Sequence, residues 1–517
     1  MTERVEAVIV GAGFAGIGAA IALERSGRGD FLVLERADAI GGTWRDNTYP
    51  GVACDIPSHL YSYSFLPNPA WSRVFAPGPE IRGYLEDAAR TFGVGDRIRL
   101  GTPLEWAAWD GAEELWRIST PHGGIEAEVL VLACGRLTEP RIPDIPGLAA
   151  FRGPVMHTAR WDDAVELAGR RVAVIGTGAS AVQIAPELAR ESEVVVFQRT
   201  PAWVLPRGDR AYAEAERDRF AADAALIEAV RQEAYLSGEA MIPQRLGDLD
   251  ALDWAQARAL AHLHAQVADP ALRAALMPAY EIGCKRAVFS DDFYPAIASG
   301  AITLEPSALV EVRPFDPPST RSGTGGGTTR SGSGAGGVLV GASGAAHEVD
   351  AIVLATGFHS TRQPYARRIA GEDGTTLDEH WRTGMTSVAS TMVSGFPNAF
   401  VLDGPNASLG HNSSILMIEA QLDYLLAALA HREASGRAPL RPSAEAEAAY
   451  TERIDAAAAT TVWLTGGCRS WYVDERSGRL TLLWPDSVAA FRAHGARFDP
   501  RDFDEVSIRP PAYSALD

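Results

Sequence analysis

The sequence predicts an α/β fold with two similar strand–turn–helix units and a helical insertion. Apolar, β-rich segments end in glycine-rich turns at residues 11–16 and again at residues 176–181, and each turn leads into an Ala-rich helical segment. Residues 206–280 are rich in Ala, Leu, Arg and Glu, which favours helix. A chain of 517 residues has room for two to four domains.

The composition excludes several classes of protein. Hydrophobic residues make up 46% and charged residues 22%, as in ordinary globular proteins, so wholesale disorder is not expected. The 66 acidic residues outnumber the 47 Lys and Arg residues and give a net charge of −19, which argues against a nucleic-acid partner. Glycines interrupt the apolar run Ala7 to Leu23, so we predict no membrane span.

The cysteines indicate neither a disulfide framework nor a metal site. Cys54, Cys134, Cys284 and Cys468 lie far apart in the sequence and form no C-x-x-C pair. We therefore expect no disulfide, no metal and a cytoplasmic protein.

The first glycine-rich turn predicts a dinucleotide site. In G-x-G-x-x-G, Gly11 makes the turn, Gly13 lets a pyrophosphate approach the backbone, and Gly16 lets the helix pack closely on the strand. About 20 residues later, Glu35 ends an apolar segment and is placed to bind ribose hydroxyls. This unit should hold a nucleotide with an unphosphorylated ribose.

The second turn predicts a different nucleotide. Its sequence is Gly176-Thr177-Gly178-Ala179-Ser180-Ala181. Where the first unit has an acid, this one has Arg199 and Thr200, and a guanidinium suits a 2′-phosphate. The alternative for Arg199 is an ordinary surface arginine. Together the two units suggest FAD and NADPH.

Further segments set the domain organisation. The apolar segments 129–135 and 350–358 should each return to a sheet beside a nucleotide, and a Pro-rich stretch after residue 139 suggests a linker. The predicted parts are an FAD domain over 1–140 and 361–517, a linker and NADP domain over 141–205 and 281–360, and a helical insertion over 206–280. The Ser/Gly-rich residues 317–337 are predicted to be a disordered loop.

Two longer patterns resemble a known family. Phe151, Gly153, His157 and Trp161 match F-x-G-x-x-x-H-x-x-x-W-[PD], the fingerprint of type I Baeyer–Villiger monooxygenases. Residues 41–55 match the same family's pattern [AG]-G-x-W-x-x-x-x-[FY]-P-[GM]-x-x-x-D. The resemblance covers nearly the whole chain. Val473 to Arg479 is closer to the hydroxyacetophenone monooxygenase subgroup than to the cyclohexanone enzymes.

The resemblance implies roles for individual residues. Arg286 and Asp55 would be catalytic, with Arg286 stabilising the oxygenated flavin, while the fingerprint residues around His157 would act as a hinge. The implied FAD-binding residues are Gly11, Gly13, Phe14, Gly16, Glu35, Thr43, Trp44, Asp55 and Tyr61. The implied NADP-binding residues are Gly176, Gly178, Ala179, Ser180, Arg199, Thr200, Lys285, Arg286 and Trp471.

Plainer roles remain open for three of these residues. Arg286 could pair with Asp291 or Asp292, Asp55 could cap a turn, and Trp471 could be a core residue.

The implied reaction is insertion of one oxygen atom from O₂ beside a ketone carbonyl, through a C4a-peroxyflavin, to give an ester or lactone. One alternative is oxygenation of nitrogen or sulfur, although Trp161-Asp162 argues against it. A non-catalytic NADP(H) sensor would need neither Arg286 nor the long fingerprints. A flavin disulfide reductase would need a cysteine pair near the first turn, where Cys54 stands alone.

Overall fold

The protein is represented by a computed structural model that describes residues 2–315 and 336–504. Its strands, numbered in chain order, are β1 (Glu3–Val10), β2 (Phe31–Leu34), β3 (Ile98–Arg99), β4 (Trp106–Asp110), β5 (Leu115–Thr120), β6 (Gly123–Leu132), β7 (Val155–His157), β8 (Arg171–Ile175), β9 (Glu193–Phe197), β10 (Val204–Leu205), β11 (Val288–Phe289), β12 (Ile302–Glu305), β13 (Leu309–Pro314), β14 (Gly337–Gly341), β15 (Ala346–Val349), β16 (Ala351–Leu354), β17 (Ile369–Ala370) and β18 (Ala399–Val401).

The α-helices are α1 (Phe14–Arg25), α2 (Thr43–Asp46), α3 (Gly78–Thr91), α4 (Ala179–Leu188), α5 (Glu214–Ala222), α6 (Ala224–Glu239), α7 (Ile242–Arg245), α8 (Leu249–Gln266), α9 (Pro270–Leu276), α10 (Phe293–Ala298), α11 (Leu377–His380), α12 (Ser414–Ala434), α13 (Ala444–Ala458), α14 (Val462–Thr465) and α15 (Val488–Ala490). Short 3₁₀ turns cover Gly95–Arg97, Leu148–Ala150, Thr158–Arg160, Pro364–Arg368 and Pro500–Asp502, and a π turn covers Phe491–Gly495.

Two sheets with parallel centres confirm the predicted α/β fold. The first has the order β17-β4-β5-β6-β1-β2-β3, with β18 also paired to β6, so it contains strands from both ends of the chain. The second is parallel throughout and has the order β12-β9-β8-β16-β7. In each sheet the strand before the glycine turn lies beside a later returning strand, β6 or β16.

The central strands are apolar on both faces because both faces are covered. In β1, Ala7 and Ile9 pack into one core and Val8 into another. In β16, Val353 and Leu354 likewise belong to different cores. A strand buried on both sides appears in the sequence as a continuous apolar run rather than as an alternation.

The apolar run near the N-terminus is a buried strand followed by a helix. Helix α1 packs against α12, and a Cβ at Gly18 would lie 3.1 Å from Leu422 Cδ1 and 3.3 Å from the Tyr63 ring. Of the helices that the structure describes, none is both long and apolar enough to cross a lipid bilayer.

Helices α5 to α9 fall within the segment that the sequence predicts to be helical. Aspartates begin three of them, since the carboxylates of Asp223, Asp248 and Asp269 accept backbone N–H groups in the first turns of α6, α8 and α9. Helix α8 packs on β10, whereas α6 contacts the loop before α12, where a Cβ at Gly238 would lie 2.7 Å from Asn412 Nδ2. The helices therefore reach the C-terminal part of the chain.

The predicted loop 317–337 lies almost entirely outside the described residues. Strands β13 and β14 flank it and pair with each other in antiparallel register. Gly337 itself is the first residue of β14.

The expectation that the chain has no disulfide is wrong. Cys284 and Cys468 form a disulfide with a Cα–Cα distance of 6.1 Å, although 184 residues separate them in the sequence. The fold brings the loop before Arg286 against the segment after α14, where the Glu281 N–H donates to the Gly466 carbonyl at 2.9 Å. Sequence spacing does not reveal such a long-range approach. Cys54 and Cys134 are free.

We predict that this disulfide stabilises the fold. Breaking it, by reduction or in Cys468→Ser, should lower the free energy of unfolding by about 2–4 kcal/mol, because the crosslink restricts the unfolded chain. Thermal and denaturant unfolding with and without reductant measure this, and Cys134→Ser is the control. Thiol titration of the denatured protein should find two thiols before reduction and all four cysteines after it. Four thiols in the unreduced protein would contradict the crosslink.

Candidate active site

The first glycine turn has the geometry of a dinucleotide cradle. Gly11 has φ +107°, and a Cβ there would lie 2.5 Å from the Ala133 carbonyl oxygen of the returning strand. A Cβ at Gly16 would lie 1.8 Å from the Gly11 carbonyl oxygen, so only glycine fits either position. Gly13 precedes α1 and has no side-chain cap, which leaves the helix N-terminus available to a phosphate.

Glu35 lies beside this turn, as the sequence predicts. It is 4% exposed, and its two carboxylate oxygens accept the backbone N–H groups of Ala12 and Ala37, each at 2.9 Å. Arg45 lies 2.8 Å from the same carboxylate. Sequence reasoning missed this ion pair. The turn and a fixed acid at the end of β2 together fit a nucleotide ribose and pyrophosphate.

Three predicted FAD-binding aromatic residues form one cluster at the start of α1. The Tyr61 ring lies edge-on to Phe14 at 5.1 Å and to Trp44 at 5.7 Å between ring centroids, and the Trp44 indole donates to the Tyr61 hydroxyl at 3.3 Å. Burial raises the pKa of Tyr61 far above its usual value, so the phenol stays protonated. Thr43 begins α2 next to Trp44.

The second turn repeats the geometry of the first. Gly176 has φ +120°, and a Cβ there would lie 2.5 Å from the carbonyl oxygen of Ala355, the residue after β16. Gly178 precedes α4, which begins at Ala179 and Ser180. The Thr177 hydroxyl donates to the Thr200 carbonyl at 2.8 Å and ties the turn to the end of β9.

Two cations meet beside the second turn. Arg199 is exposed, and the Lys285 ammonium lies 5.0 Å from the centre of the Tyr280 ring. Burial, and then the nearby charge of Arg199, lower the pKa of Lys285. In the part of the chain that the structure describes, neither cation lies within ion-pair distance of a carboxylate. Two cations held together without an acid suit a phosphate.

Arg286 and Asp55 form a two-pronged ion pair. Arg286 Nε donates to Asp55 Oδ2 at 3.1 Å and Nη2 donates to Oδ1 at 2.6 Å, with the side chains 29% and 18% exposed. The Asp55 charge raises the pKa of Arg286 well above its usual range. The alternative partners do not apply, since Asp291 instead accepts the backbone N–H groups of Arg207 and Gly208.

The segment that carries Asp55 docks on the second unit. The Tyr49 hydroxyl contacts Gln183 Oε1 at 2.8 Å, and Gln183 Nε2 donates to the Ala53 carbonyl at 3.0 Å. A Cβ at Gly51 would lie 2.8 Å from Glu187 Cγ on the same helix, α4. Tyr49 also lies 3.3 Å from the hydroxyl of Ser180. These contacts hold the segment of Asp55 against α4, in a position where Asp55 can pair with Arg286.

The fingerprint residues connect elements of the second sheet. His157 ends β7, where its Nε2 contacts the Gly357 carbonyl at 3.1 Å and its Nδ1 accepts the Ala159 N–H at 3.1 Å. Burial lowers the pKa of His157 to about 4, so it is neutral at pH 7. A Cβ at Gly153 would lie 2.2 Å from the Asp350 carbonyl oxygen and 2.7 Å from the Phe151 ring. Trp161 packs on the core beneath α4.

Trp471 lies at the surface beside this region. It is 36% exposed, which argues against a plain core residue, and its carbonyl accepts the Ser360 hydroxyl at 3.3 Å. Its neighbour Tyr472 is 1% exposed. The disulfide at Cys468 ties this segment to the loop that carries Lys285 and Arg286.

Sequence reasoning missed three polar residues near the site. Arg136 pairs with Asp403 and donates to the hydroxyl of Ser414 at the start of α12. Arg245 and Tyr472 are buried, and the charge of Arg286 acts on both. No sequence motif gives these side chains a role, because the groups that they face come from distant parts of the chain.

Comparisons with known proteins agree with this geometry. The sequence model of the pyridine nucleotide-disulphide oxidoreductase family matches residues 8–213. A Baeyer–Villiger monooxygenase from Streptomyces coelicolor is 44% identical over 99% of this chain and 95% of its own length. One from Pseudomonas aeruginosa is 38% identical over 95% of this chain and 89% of its own. Among solved structures, a cyclohexanone monooxygenase from Rhodococcus sp. Phi1 bound to NADP⁺ has a TM-score of 0.80 and 27% identity, covering 95% of this chain and 97% of that one.

We predict that Arg199 and Lys285 select a nucleotide with a 2′-phosphate. Alanine at either position should weaken NADPH binding by about 1.5–3 kcal/mol, roughly 10–150-fold, and leave NADH nearly unchanged because NADH lacks that phosphate. Titration of both nucleotides measures the effect. Arg190→Ala is a matched control, since Arg190 is 68% exposed and pairs with Glu187 on the same unit. Equal weakening of NADH would show that the two cations bind elsewhere on the nucleotide.

Proposed function

This chain belongs to the Baeyer–Villiger monooxygenases, and from that premise we propose that it uses NADPH and O₂ to insert one oxygen atom beside a ketone carbonyl, releasing an ester or lactone. The observation that carries this proposal is the Arg286–Asp55 pair, which lies where the two glycine-turn units meet. In this proposal, the Arg286 guanidinium would supply a fixed positive charge where the two nucleotide sites adjoin.

The residues present fit both cofactors. The first turn, Glu35 and the aromatic cluster of Phe14, Trp44 and Tyr61 would hold FAD. The second turn would hold NADPH, with its 2′-phosphate between Arg199 and Lys285. Uptake of hydride from NADPH and activation of O₂ are the chemistry that a bound flavin supplies.

The protein's own contribution is electrostatic and positional. Negative charge develops on oxygen during the insertion, and a preorganised guanidinium stabilises that charge without having to reorient. Asp55 keeps Arg286 in one orientation and maintains its charge. Trp471, on a segment tied to the Arg286 loop, would cover the nucleotide and exclude water.

The domain assignment is part of the same proposal. Residues 1–140 and 361–517 would form the FAD domain, because β17 and β18 complete the sheet that contains β1. Residues 141–205 and 281–360 would form the linker and NADP domain, with 206–280 as its helical insertion. We also propose a cytoplasmic location because NADPH is regenerated there; the Cys284–Cys468 disulfide removes the argument that the cysteines gave for this location.

An oxygen-incorporation experiment tests the reaction. Purified protein with FAD and NADPH should convert ketones to esters that carry one atom from labelled O₂, and aryl, cyclic and straight-chain ketones should all be included. Sulfides and amines belong in the same screen. Oxygenation of sulfur or nitrogen alone would support the alternative monooxygenase, and no substrate-stimulated NADPH oxidation would support a sensor.

We predict that the Arg286–Asp55 pair is required for oxygenation but not for FAD binding. Arg286→Met should lower the rate of ester formation about 100–1000-fold, because one preorganised stabilising group is lost. Asp55→Asn should lower it in the same direction, since Arg286 loses its orienting partner. The measurement is ester formed per NADPH consumed, together with bound flavin.

The matched control for this pair is Asp292→Asn, at an exposed acid close to Arg286 in the sequence. It should retain the rate of the unaltered protein. Ester formation at the normal rate in Arg286→Met would remove Arg286 from the catalytic residues.

A further inference from the structure

Arg245, the last residue of α7, is a buried cation with few hydrogen-bond partners. The residue is 5% exposed, and among the described residues its side chain makes one hydrogen bond, from Nη2 to the Gly410 carbonyl at 3.1 Å. Its Nε and Nη1 are shielded from solvent and have no acceptor within residues 2–315 and 336–504. An unpaired buried charge lowers the stability of the fold, so a ligand with acceptor oxygens and a negative charge would bind favourably here.

The other buried arginines behave differently. Of the four arginines that are buried in the described part of the chain, three lie near a carboxylate, and Arg245 does not. The pairs are Arg136 with Asp403, Arg231 with Glu419 at 3.8 Å and Arg432 with Glu128 at 2.9 Å. Arg245 thus lacks the acid that offsets burial elsewhere in this protein.

Two more unpartnered polar groups lie around Arg245. A Cβ at Gly410 would lie 3.4 Å from Trp463 Nε1, so the indole nitrogen lies close to the same glycine whose carbonyl Arg245 contacts. Trp463 Nε1 and Tyr472 Oη are both buried and lack a hydrogen-bond partner among the described residues. We call Arg245, Trp463 and Tyr472 the donor cluster, because each can donate and none of them holds a negative charge at pH 7.

The donor cluster adjoins the Arg286 loop. A Cβ at Gly283 would lie 2.1 Å from Arg245 Nη1, and Gly283 is three residues before Arg286. Burial lowers the pKa of Arg245 to about 10, and the charge of Arg286 acts in the same direction, yet Arg245 stays charged at pH 7. Burial raises the pKa of Tyr472, while Arg286 and Arg245 oppose that rise.

We propose that the donor cluster binds a carboxylate on the ketone substrate, so that this enzyme prefers keto acids over neutral ketones. This inference rests on the proposed function. A carboxylate supplies the negative charge and the acceptor oxygens that the cluster lacks. The cofactor phosphates would have other partners, since in the proposed function the glycine turns hold the pyrophosphates and Arg199 with Lys285 holds the 2′-phosphate.

Paired substrates test the proposal without any substitution. Straight-chain methyl keto acids of increasing length are compared with their methyl esters, which keep the ketone and remove the charge. The unaltered enzyme should favour the acid by about 10–100-fold in kcat/KM at the chain length that spans from the ketone to the cluster. Preference for the ester at every length would overturn the proposal.

Variants then assign the preference to Arg245. Arg245→Met keeps the aliphatic stem and should abolish the ratio of acid to ester, whereas Arg245→Lys keeps the charge and should retain part of it. Arg273→Met is the matched control, because Arg273 donates to the Val267 and Ala268 carbonyls in the same helical region and should leave the ratio unchanged. The ratio is internal to each variant, so a general loss of activity does not affect it.

Three outcomes separate this inference from the proposed function. Oxygenation of the neutral esters with no acid preference would overturn the inference and leave the ketone reaction standing. Loss of FAD, or weaker NADPH binding, in Arg245→Met with an unchanged acid-to-ester ratio would assign Arg245 to a cofactor and also overturn the inference. Failure to oxygenate any ketone would refute the proposed function itself.

Discussion

The ion pair between Arg286 and Asp55 is the contact on which the geometry of the site depends. Its residues lie 231 positions apart in the sequence, and each is held by independent means. Asp55 is fixed because its segment docks on α4 through Tyr49, and the Arg286 loop is fixed by the disulfide at Cys284. Removing either partner would leave a partly buried charge unpaired. The charge of the site and the relative position of the two units are therefore coupled.

The two units both require glycine at the start of the turn, and they differ in the charged residue that follows the second strand of each unit. In each, the carbonyl of a returning strand lies 2.5 Å from where a Cβ would stand, at Gly11 and at Gly176, so both turns need glycine. The scaffold therefore does not distinguish one nucleotide from the other. In the proposed function, the distinction would come from the residues that follow β2 and β9, where Glu35 suits a ribose hydroxyl and Arg199 suits a phosphate.

The sequence predicted the features whose causes are local. Each glycine turn, its strands and its strand-end residue lie in one continuous segment, from Glu3 to Glu35 or from Arg171 to Arg199, so their pattern is visible along the chain. The placement of Arg286 and Asp55 in one catalytic site came only from family resemblance, because no local rule joins such distant residues. The disulfide and the burial of Arg245 were missed for the same reason. Both depend on how the helices from 206–280 and the C-terminal segments pack together.

The excess of acidic residues makes a cation without a carboxylate partner unusual in this chain. The chain has 66 acidic residues against 47 basic ones, and an arginine such as Arg171 reaches both Asp350 and Glu348. Against this excess of acid, Arg199, Lys285 and Arg245 have no carboxylate within ion-pair distance among the described residues. A buried cation kept apart from acids, such as Arg245, raises the free energy of the protein without ligands, and a bound anion would lower it again. The same residues that distinguish ligands would therefore make the fold more stable when those ligands are bound.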